Sequence, residues 1–223
     1  MFSNAVITIF SLIVLLFSVI IHELAHGYIA YSLGDPTAKY EGRLTLNPLK
    51  HLDPFGSVIL PLLLLVATAG QGPIFGWAKP VPINPYNFKD QKWGTLKVSI
   101  SGPLTNFVIA IIFSLFIRFL NFLPAQAGPQ IAPLIQLLGI IVFYNFLWGI
   151  FNLVPIPPLD GSWILFRFLP GGPSGSWEKA KLFMQQYGLF ILIFFIFFGG
   201  LNGLVILAQL MYNLFAGSYF PLM

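Results

Sequence analysis

Two histidines and a glutamate lie within five consecutive residues near the amino terminus, in the sequence HELAH at residues 22–26. Residues four positions apart share one face of a helix, so the imidazoles of His22 and His26 can reach one metal ion. Glu23 lies beside this pair, where a carboxylate can take a proton from a water molecule that the metal activates. The spacing therefore predicts a zinc site suited to hydrolysis.

The environment of HELAH argues against a chance match, in which the histidines merely pack within a helix. Residues 2–21 are apolar and lead directly into His22. An ionisable group in a lipid-embedded helix costs free energy, and such groups mark functional sites. The apolar segment lacks a basic start and a small-residue cleavage site, so we expect a retained transmembrane helix rather than a signal peptide.

The composition is that of a membrane protein. Of the 223 residues 57% are hydrophobic and 8% charged, with a mean hydropathy of +0.84, whereas a soluble domain carries roughly 25% charged residues. We predict an all-α polytopic membrane protein with a single membrane-embedded domain over residues 1–223. The absence of cysteine excludes disulfides and thiolate chemistry. The net charge of +4 comes from short loops, which indicates membrane orientation and no binding of nucleic acid.

Four apolar segments are long enough to span the hydrocarbon, which takes about 20 residues. They are residues 5–33, 96–123, 131–153 and 186–215. Gly199, Gly200 and Gly203 interrupt the last segment, so it forms either one long tilted helix or two short ones. The predicted total is about four to six transmembrane helices.

The chain between the first two spans is harder to assign. Residues 55–69 form an apolar run of a length between that of a re-entrant helix and that of a span. Residues 70–88 are rich in glycine and proline, and such irregular backbone must be buried or line a wet cavity. We expect this stretch to act as a lid or substrate clamp. Weak alternation at residues 42–46 is compatible with a short strand or β-hairpin, whose edge could pair with an unwound substrate.

A catalytic zinc usually has a third protein ligand. Glu41 and His51 follow the first helix and remain candidates. Asp160 lies in NLVPIPPLDG, residues 152–161, among apolar neighbours at the end of a span; its alternative role is an Asp-Gly turn. The remaining acids lie in polar loops and are expected to be solvated or turn residues: Asp35, Asp53, Asp90 and Glu178.

Topology favours Asp160. A shared zinc requires Asp160 and the histidines on one side of the bilayer, so residues 55–88 must be re-entrant and make no net crossing. That arrangement leaves only Arg118 on the opposite side and moves ten basic residues to one face, which marks it as cytosolic. These ten are Lys39, Arg43, Lys50, Lys79, Lys89, Lys92, Lys97, Arg167, Lys179 and Lys181. We therefore predict a multi-pass protein of the cell membrane with its site toward the cytosol.

Together these residues resemble the site-2 protease family of intramembrane zinc metalloproteases. HELAH matches the family's first zinc motif, NLVPIPPLDG its second, and SGPLTN at residues 101–106 resembles its intervening motif. Residues 42–56 and 76–85 are similar to segments of small bacterial members. The resemblance implies that His22, His26 and Asp160 bind one zinc ion and that Glu23 is the general base.

The same resemblance implies further roles. Asn152 would donate a hydrogen bond to the tetrahedral oxyanion, whereas for Asn106 we favour an interhelical hydrogen bond over substrate positioning. Substrates would be single-span membrane proteins in the lipid bilayer, cut in their transmembrane segments, with no gating PDZ domain. The sequence makes no prediction of oligomeric state. A divalent-metal transporter and an inactive scaffold are the alternatives. A transporter would need acidic residues on several helices, and an intact Glu23 argues against a scaffold.

Overall fold

The computed structural model describes residues 3–67, 78–122, 128–169 and 176–217. Eight α-helices are assigned within these ranges: α1 Asn4–Ser32, α2 Thr37–Tyr40, α3 Leu60–Ala67, α4 Gly94–Leu120, α5 Gly128–Asn152, α6 Asp160–Phe168, α7 Ser176–Phe197 and α8 Gly200–Ala216. Four of them have apolar stretches long enough to cross a membrane: α1, α4, α5 and α7. The prediction of a helical, multi-pass membrane protein is confirmed.

Helix α1 is 29 residues long, or about 43 Å at 1.5 Å per residue, which exceeds the hydrocarbon thickness. It begins where the side chain of Ser3 accepts a hydrogen bond from the Val6 amide, as an N-cap does. It ends before Gly34, whose φ of 108° is costly for residues with a Cβ. His22 and His26 thus lie in the second half of the helix.

The helices α1, α4, α5 and α8 pack around one apolar core. Its fully buried members include Ile117 on α4, Phe146 on α5 and Tyr212 on α8. Many outward-facing side chains are equally apolar, among them Leu12 on α1, Ile112 on α4 and Phe190 on α7, which are 62%, 59% and 70% exposed. Such a surface suits lipid rather than water.

The carboxy-terminal segment consists of two helices, which answers the question that residues 186–215 left open. Helix α7 begins at Ser176, ten residues earlier than predicted, and α8 follows a break at Gly199. Gly199 has a φ of 92°, a left-handed conformation that only glycine adopts readily. Helix α8 has 17 residues and packs on α4 and α5.

The region between α1 and α4 departs from the prediction in one respect. No strand is assigned among the described residues, and residues 42–46 are irregular, so the β-hairpin is not found there. One π-helical turn, Pro54–Ile59, runs into α3. Residues 68–77, which include residues 70–77 of the predicted lid, lie outside the described part. Ala78 returns to form an antiparallel bridge with Leu52, and the Lys79 amide donates to the His51 carbonyl over 2.8 Å.

Candidate metal centre

Three side chains that could ligate a metal ion come together from distant parts of the chain. His22, His26 and Asp160 each offer one ligand atom, and these atoms lie within 4.8 Å of one another. Asp160 Oδ2 is 3.0 Å from His22 Nε2 and 3.1 Å from His26 Nε2. Asp160 follows His26 by more than 130 residues in the chain. The two meet because α4 and α5 lead the chain away from α1 and back.

The ring of His22 is oriented by a chain of amides. Its Nδ1 lies 2.7 Å from Asn106 Oδ1, and Asn106 Nδ2 donates to the carbonyl of Ser18 and to Asn145 Oδ1. Asn145 in turn donates through its own Nδ2 to the Ile141 carbonyl. Because both other partners of Asn106 are acceptors, its Oδ1 must face His22, and Nδ1 of His22 carries the proton.

His26 is held in the same tautomer by the backbone of α4. Its Nδ1 lies 2.7 Å from the carbonyl of Val98, which accepts a hydrogen bond and so requires a proton on that nitrogen. The hydroxyl of Ser101 donates to the same carbonyl over 2.7 Å. In its neutral form each imidazole therefore directs the lone pair of Nε2 toward Asp160.

This arrangement of donor atoms fits a divalent cation. Two imidazole lone pairs and a carboxylate oxygen that point at one place repel each other unless a positive charge lies between them. Two histidines and one carboxylate form a familiar ligand set of catalytic zinc. A hydrogen bond from each Nδ1–H to an oxygen is the usual outer support of a zinc-bound histidine.

Gly102 leaves the space that this cation needs. A Cβ at this position would lie 2.5 Å from His26 Nε2 and 2.6 Å from His22 Nε2. Such a group would occupy the place toward which the lone pairs point. Gly102 belongs to SGPLTN, but its contribution was not predicted, because a glycine carries no chemical group that a pattern of ligands would include.

Asp160 is the first residue of α6, so it does not form the Asp-Gly turn that was its alternative. Gly161 is required for another reason: a Cβ there would lie 2.1 Å from the Leu153 carbonyl oxygen. The glycine lets the loop that follows α5 fold back tightly, and this close approach presents Asp160 to the histidines.

The other predicted residues lie as follows. Glu23 is half-buried, and its Oε2 accepts a hydrogen bond from the Val81 amide over 2.9 Å. Asn152 is buried and donates to the Trp148 carbonyl. Glu41 is exposed, and His51 bonds to the Thr45 carbonyl, so neither joins the three-residue group. Asn106 makes the interhelical hydrogen bonds that we favoured.

The fold and the site together define a multi-pass membrane protein with an HExxH helix whose histidines could hold a metal ion, the arrangement of a metalloprotease. The family model Peptidase family M50 matches residues 125–195. "Putative zinc metalloprotease YwhC" of Bacillus subtilis is 39% identical over 182 residues, which cover 81% of this chain and 77% of that protein. The chain therefore belongs to peptidase family M50, the site-2 protease family, and is a zinc metalloprotease.

More distant relatives also carry the name zinc metalloprotease. "Putative zinc metalloprotease Rip2" of Mycobacterium tuberculosis strain H37Rv is 31% identical over 185 residues, or 81% of this chain and 64% of that protein. "Zinc metalloprotease MJ0392" of Methanocaldococcus jannaschii is 26% identical over 205 residues, or 92% of this chain and 47% of that protein. No solved structure matches the chain. The alternatives of a metal transporter and an inactive scaffold are not favoured.

Proposed function

We propose that this chain cleaves peptide bonds within membrane-spanning segments, with one zinc ion held by His22, His26 and Asp160 and with Glu23 as the general base. The observation that carries the proposal is the convergence of three ligand atoms within 4.8 Å. Both histidines are buried in a spanning helix, which supports a reaction at membrane depth.

Each group of the chain has a distinct task. A zinc ion held by these three ligands would supply Lewis acidity, which acidifies water and polarises a peptide carbonyl. Glu23 takes a proton from the attacking water and later delivers it to the leaving amine. Asn106 and the Val98 carbonyl hold the imidazoles in the required tautomer and orientation.

Asn152 is the proposed hydrogen-bond donor to the tetrahedral oxyanion. Its Nδ2 donates to the carbonyl of Trp148 over 3.0 Å, and a side-chain amide has a second hydrogen to offer. The first bond fixes the plane of the amide on α5, which prepares the second hydrogen for the substrate. Asn152 lies eight residues before Asp160 in the chain, so one loop connects the two.

Single-span membrane proteins are the proposed substrates. A substrate helix must unwind at the cleavage point, because a helical backbone engages the scissile carbonyl in its own hydrogen bonds. The apolar surface of α1, α4 and α7 suits the lateral approach of such a helix through the bilayer.

Residues 55–88 are proposed to be re-entrant and to make no net crossing, which orients the protein. The bridge between Leu52 and Ala78 supports this, because the excursion starts and ends at the same level. Nine of the ten basic residues of the predicted cytosolic face lie outside the four spanning helices or in their first turns, and Arg118 lies in the last turn of α4. We infer an active site toward the cytosol in the cell membrane.

The substitution Glu23→Gln tests the mechanism. It keeps the size and hydrogen-bonding capacity of the side chain but cannot accept a proton, so cleavage of a transmembrane model substrate should fall by about 100-fold or more. Zinc content should stay at one ion per chain, because Glu23 is not a ligand. Glu41→Gln serves as the control, because Glu41 is an exposed acid that directly follows α2. This variant should cleave normally. Proteolysis that persists in Glu23→Gln would contradict the mechanism.

Membrane proteomics of wild type and Glu23→Gln identifies the substrates. We expect full-length single-span proteins to accumulate in the variant. Accumulation of only soluble proteins would contradict the proposed substrate class.

A further inference from the structure

An extended segment, residues 78–84, lies across α1 beside the proposed general base; we name it the strap. Its central residue, Val81, is 5% exposed. A Cβ at Gly27 would come 3.0 Å from Val81 Cγ1, so glycine on α1 permits the strap to pack closely. The strap thus packs at Gly27, one helical turn beyond Glu23, against the helix that carries both histidines.

The strap makes one hydrogen bond to Glu23. The Val81 amide donates to Oε2 over 2.9 Å, whereas Oε1 accepts no hydrogen bond from the residues that the structure describes. Pro80 and Pro82 have no N–H, so Val81 supplies the single amide donor of this tripeptide. The sequence KPVPIN therefore concentrates the donor capacity of the strap at the residue that faces the base.

Arg43 holds the strap immediately before this donor. Its Nη2 donates to the carbonyls of Lys79 and Pro80 over 2.6 and 3.2 Å. The side chain is 4% exposed, and no acid among the described residues forms an ion pair with it. A guanidinium is buried at considerable cost unless its donors are used. Here two consecutive carbonyls of the strap accept from Nη2, whereas the buried Nε has no hydrogen-bond partner among the described residues.

We propose that Arg43 is a positioning residue for the proteolytic reaction: it fixes the strap, and the Val81 amide then holds the Glu23 carboxylate with one oxygen bound and the other free for water. The inference rests on the proposed role of Glu23. Arg43 touches neither substrate nor metal, and acts through Val81. The arrangement limits the rotation of a side chain that must reach water and leaving group in turn.

Two pairs of variants test the proposal on a transmembrane peptide that wild type cleaves. Val81→Pro removes the amide donor and Val81→Ala retains it, and a proline suits a residue already followed by Pro82. We expect Val81→Pro to lower kcat about tenfold to a hundredfold with KM within about twofold of wild type. Val81→Ala should lose much less. Arg43→Gln should behave like Val81→Pro, and Arg43→Lys should recover part of kcat.

Docking of the strap is measured independently of activity. The chain has no cysteine, so Val81→Cys introduces a single thiol at a buried site and keeps the amide. Maleimide should label it slowly when Arg43 is present and at least about tenfold faster in the Arg43→Gln background. Lys50→Ala is the control, because Lys50 is an exposed cation that lies, like Arg43, between α2 and α3. It should change neither labelling nor kcat.

The outcomes separate this inference from the proposed function. If Glu23→Gln is inactive while Val81→Pro and Arg43→Gln keep the kcat of wild type, Arg43 does not position the base. A rise in KM at constant kcat would also overturn the inference, because the strap would then serve substrate binding. If Glu23→Gln itself remains active, the proposed function fails instead. If Arg43→Gln loses zinc or misfolds, the contrast between Val81→Pro and Val81→Ala decides.

Discussion

The two histidines of HELAH are equivalent in sequence but are held by different means. His22 depends on the side chain of Asn106, whereas His26 depends on the carbonyl of Val98. The grouping of both histidines with the distant Asp160 was predictable, because side-chain types indicate candidate ligands. A backbone carbonyl occurs at every residue and leaves no pattern, so the role of Val98 required the structure.

Gly102 gives a prediction at the scale of one methyl group. In Gly102→Ala the added Cβ would lie 2.5 Å from His26 Nε2, closer than any stable contact, so the nitrogen lone pairs could no longer share a cation. We expect the purified variant to lose bound zinc, measured by mass spectrometry of the metal, and with it all proteolysis.

Gly203→Ala is the matched control for that experiment. A Cβ at Gly203 in α8 would meet no atom within 4 Å, and alanine favours a helix by roughly 1 kcal/mol over glycine. This variant should keep its zinc. Full zinc content in Gly102→Ala would show that the metal does not lie where the lone pairs converge.

At the scale of elements, apolar runs predicted α1, α4 and α5 within a few residues, because a membrane span has a fixed minimum length. The start of α7 was missed since its first turns contain Glu178, Lys179 and Lys181, which mask the apolar pattern. The extended strap was assigned only as irregular backbone. Its position is set by long-range hydrogen bonds to Arg43, Asp35 and Glu23, and these have no local signature.

Asp35 anchors the other end of the strap. This fully buried carboxylate accepts hydrogen bonds from the Asn84 amide over 2.7 Å and from Asn87 Nδ2 over 2.8 Å. Burial acts to raise the pKa of Asp35, but the hydrogen bonds from Thr37, Asn84 and Asn87 outweigh it and hold the pKa below its usual value. The anchor is therefore ionised at every physiological pH.

The substitution Asp35→Asn should destabilise the protein by about 1 to 3 kcal/mol, because a buried amide donor loses its partner. Since the folded pKa is depressed, this stabilisation is present above the unfolded pKa and disappears as pH falls through the folded value. The difference in unfolding temperature between wild type and Asp35→Asn should thus be constant from about pH 8 to 5 and shrink below about pH 4.

Asp90→Asn is the control, since Asp90 pairs with Lys97 at the protein surface and surface pairs contribute little. A difference in unfolding temperature for Asp35→Asn that vanished between pH 7 and 5 would contradict this account of the anchor.

At the scale of the whole molecule, the distribution of basic residues predicts the orientation in the bilayer. Single cysteines can be introduced into the cysteine-free chain at exposed positions Lys50, Lys89 and Lys179, and at Phe122 beyond α4. In inside-out vesicles the first three should react with an impermeant maleimide, and position 122 should not. Reaction of position 50 on the side opposite to position 179 would mean that the chain crosses the membrane within residues 55–88.

The proposed zinc site joins two histidines of the first helix with a carboxylate late in the chain. The chain has three histidines in all, so X-ray absorption at the zinc edge can count the imidazoles bound to the metal. We predict two imidazoles at about 2.0 to 2.1 Å together with oxygen ligands, and the same count in His51→Ala. A spectrum with three imidazoles would replace Asp160 by His51 and contradict the account.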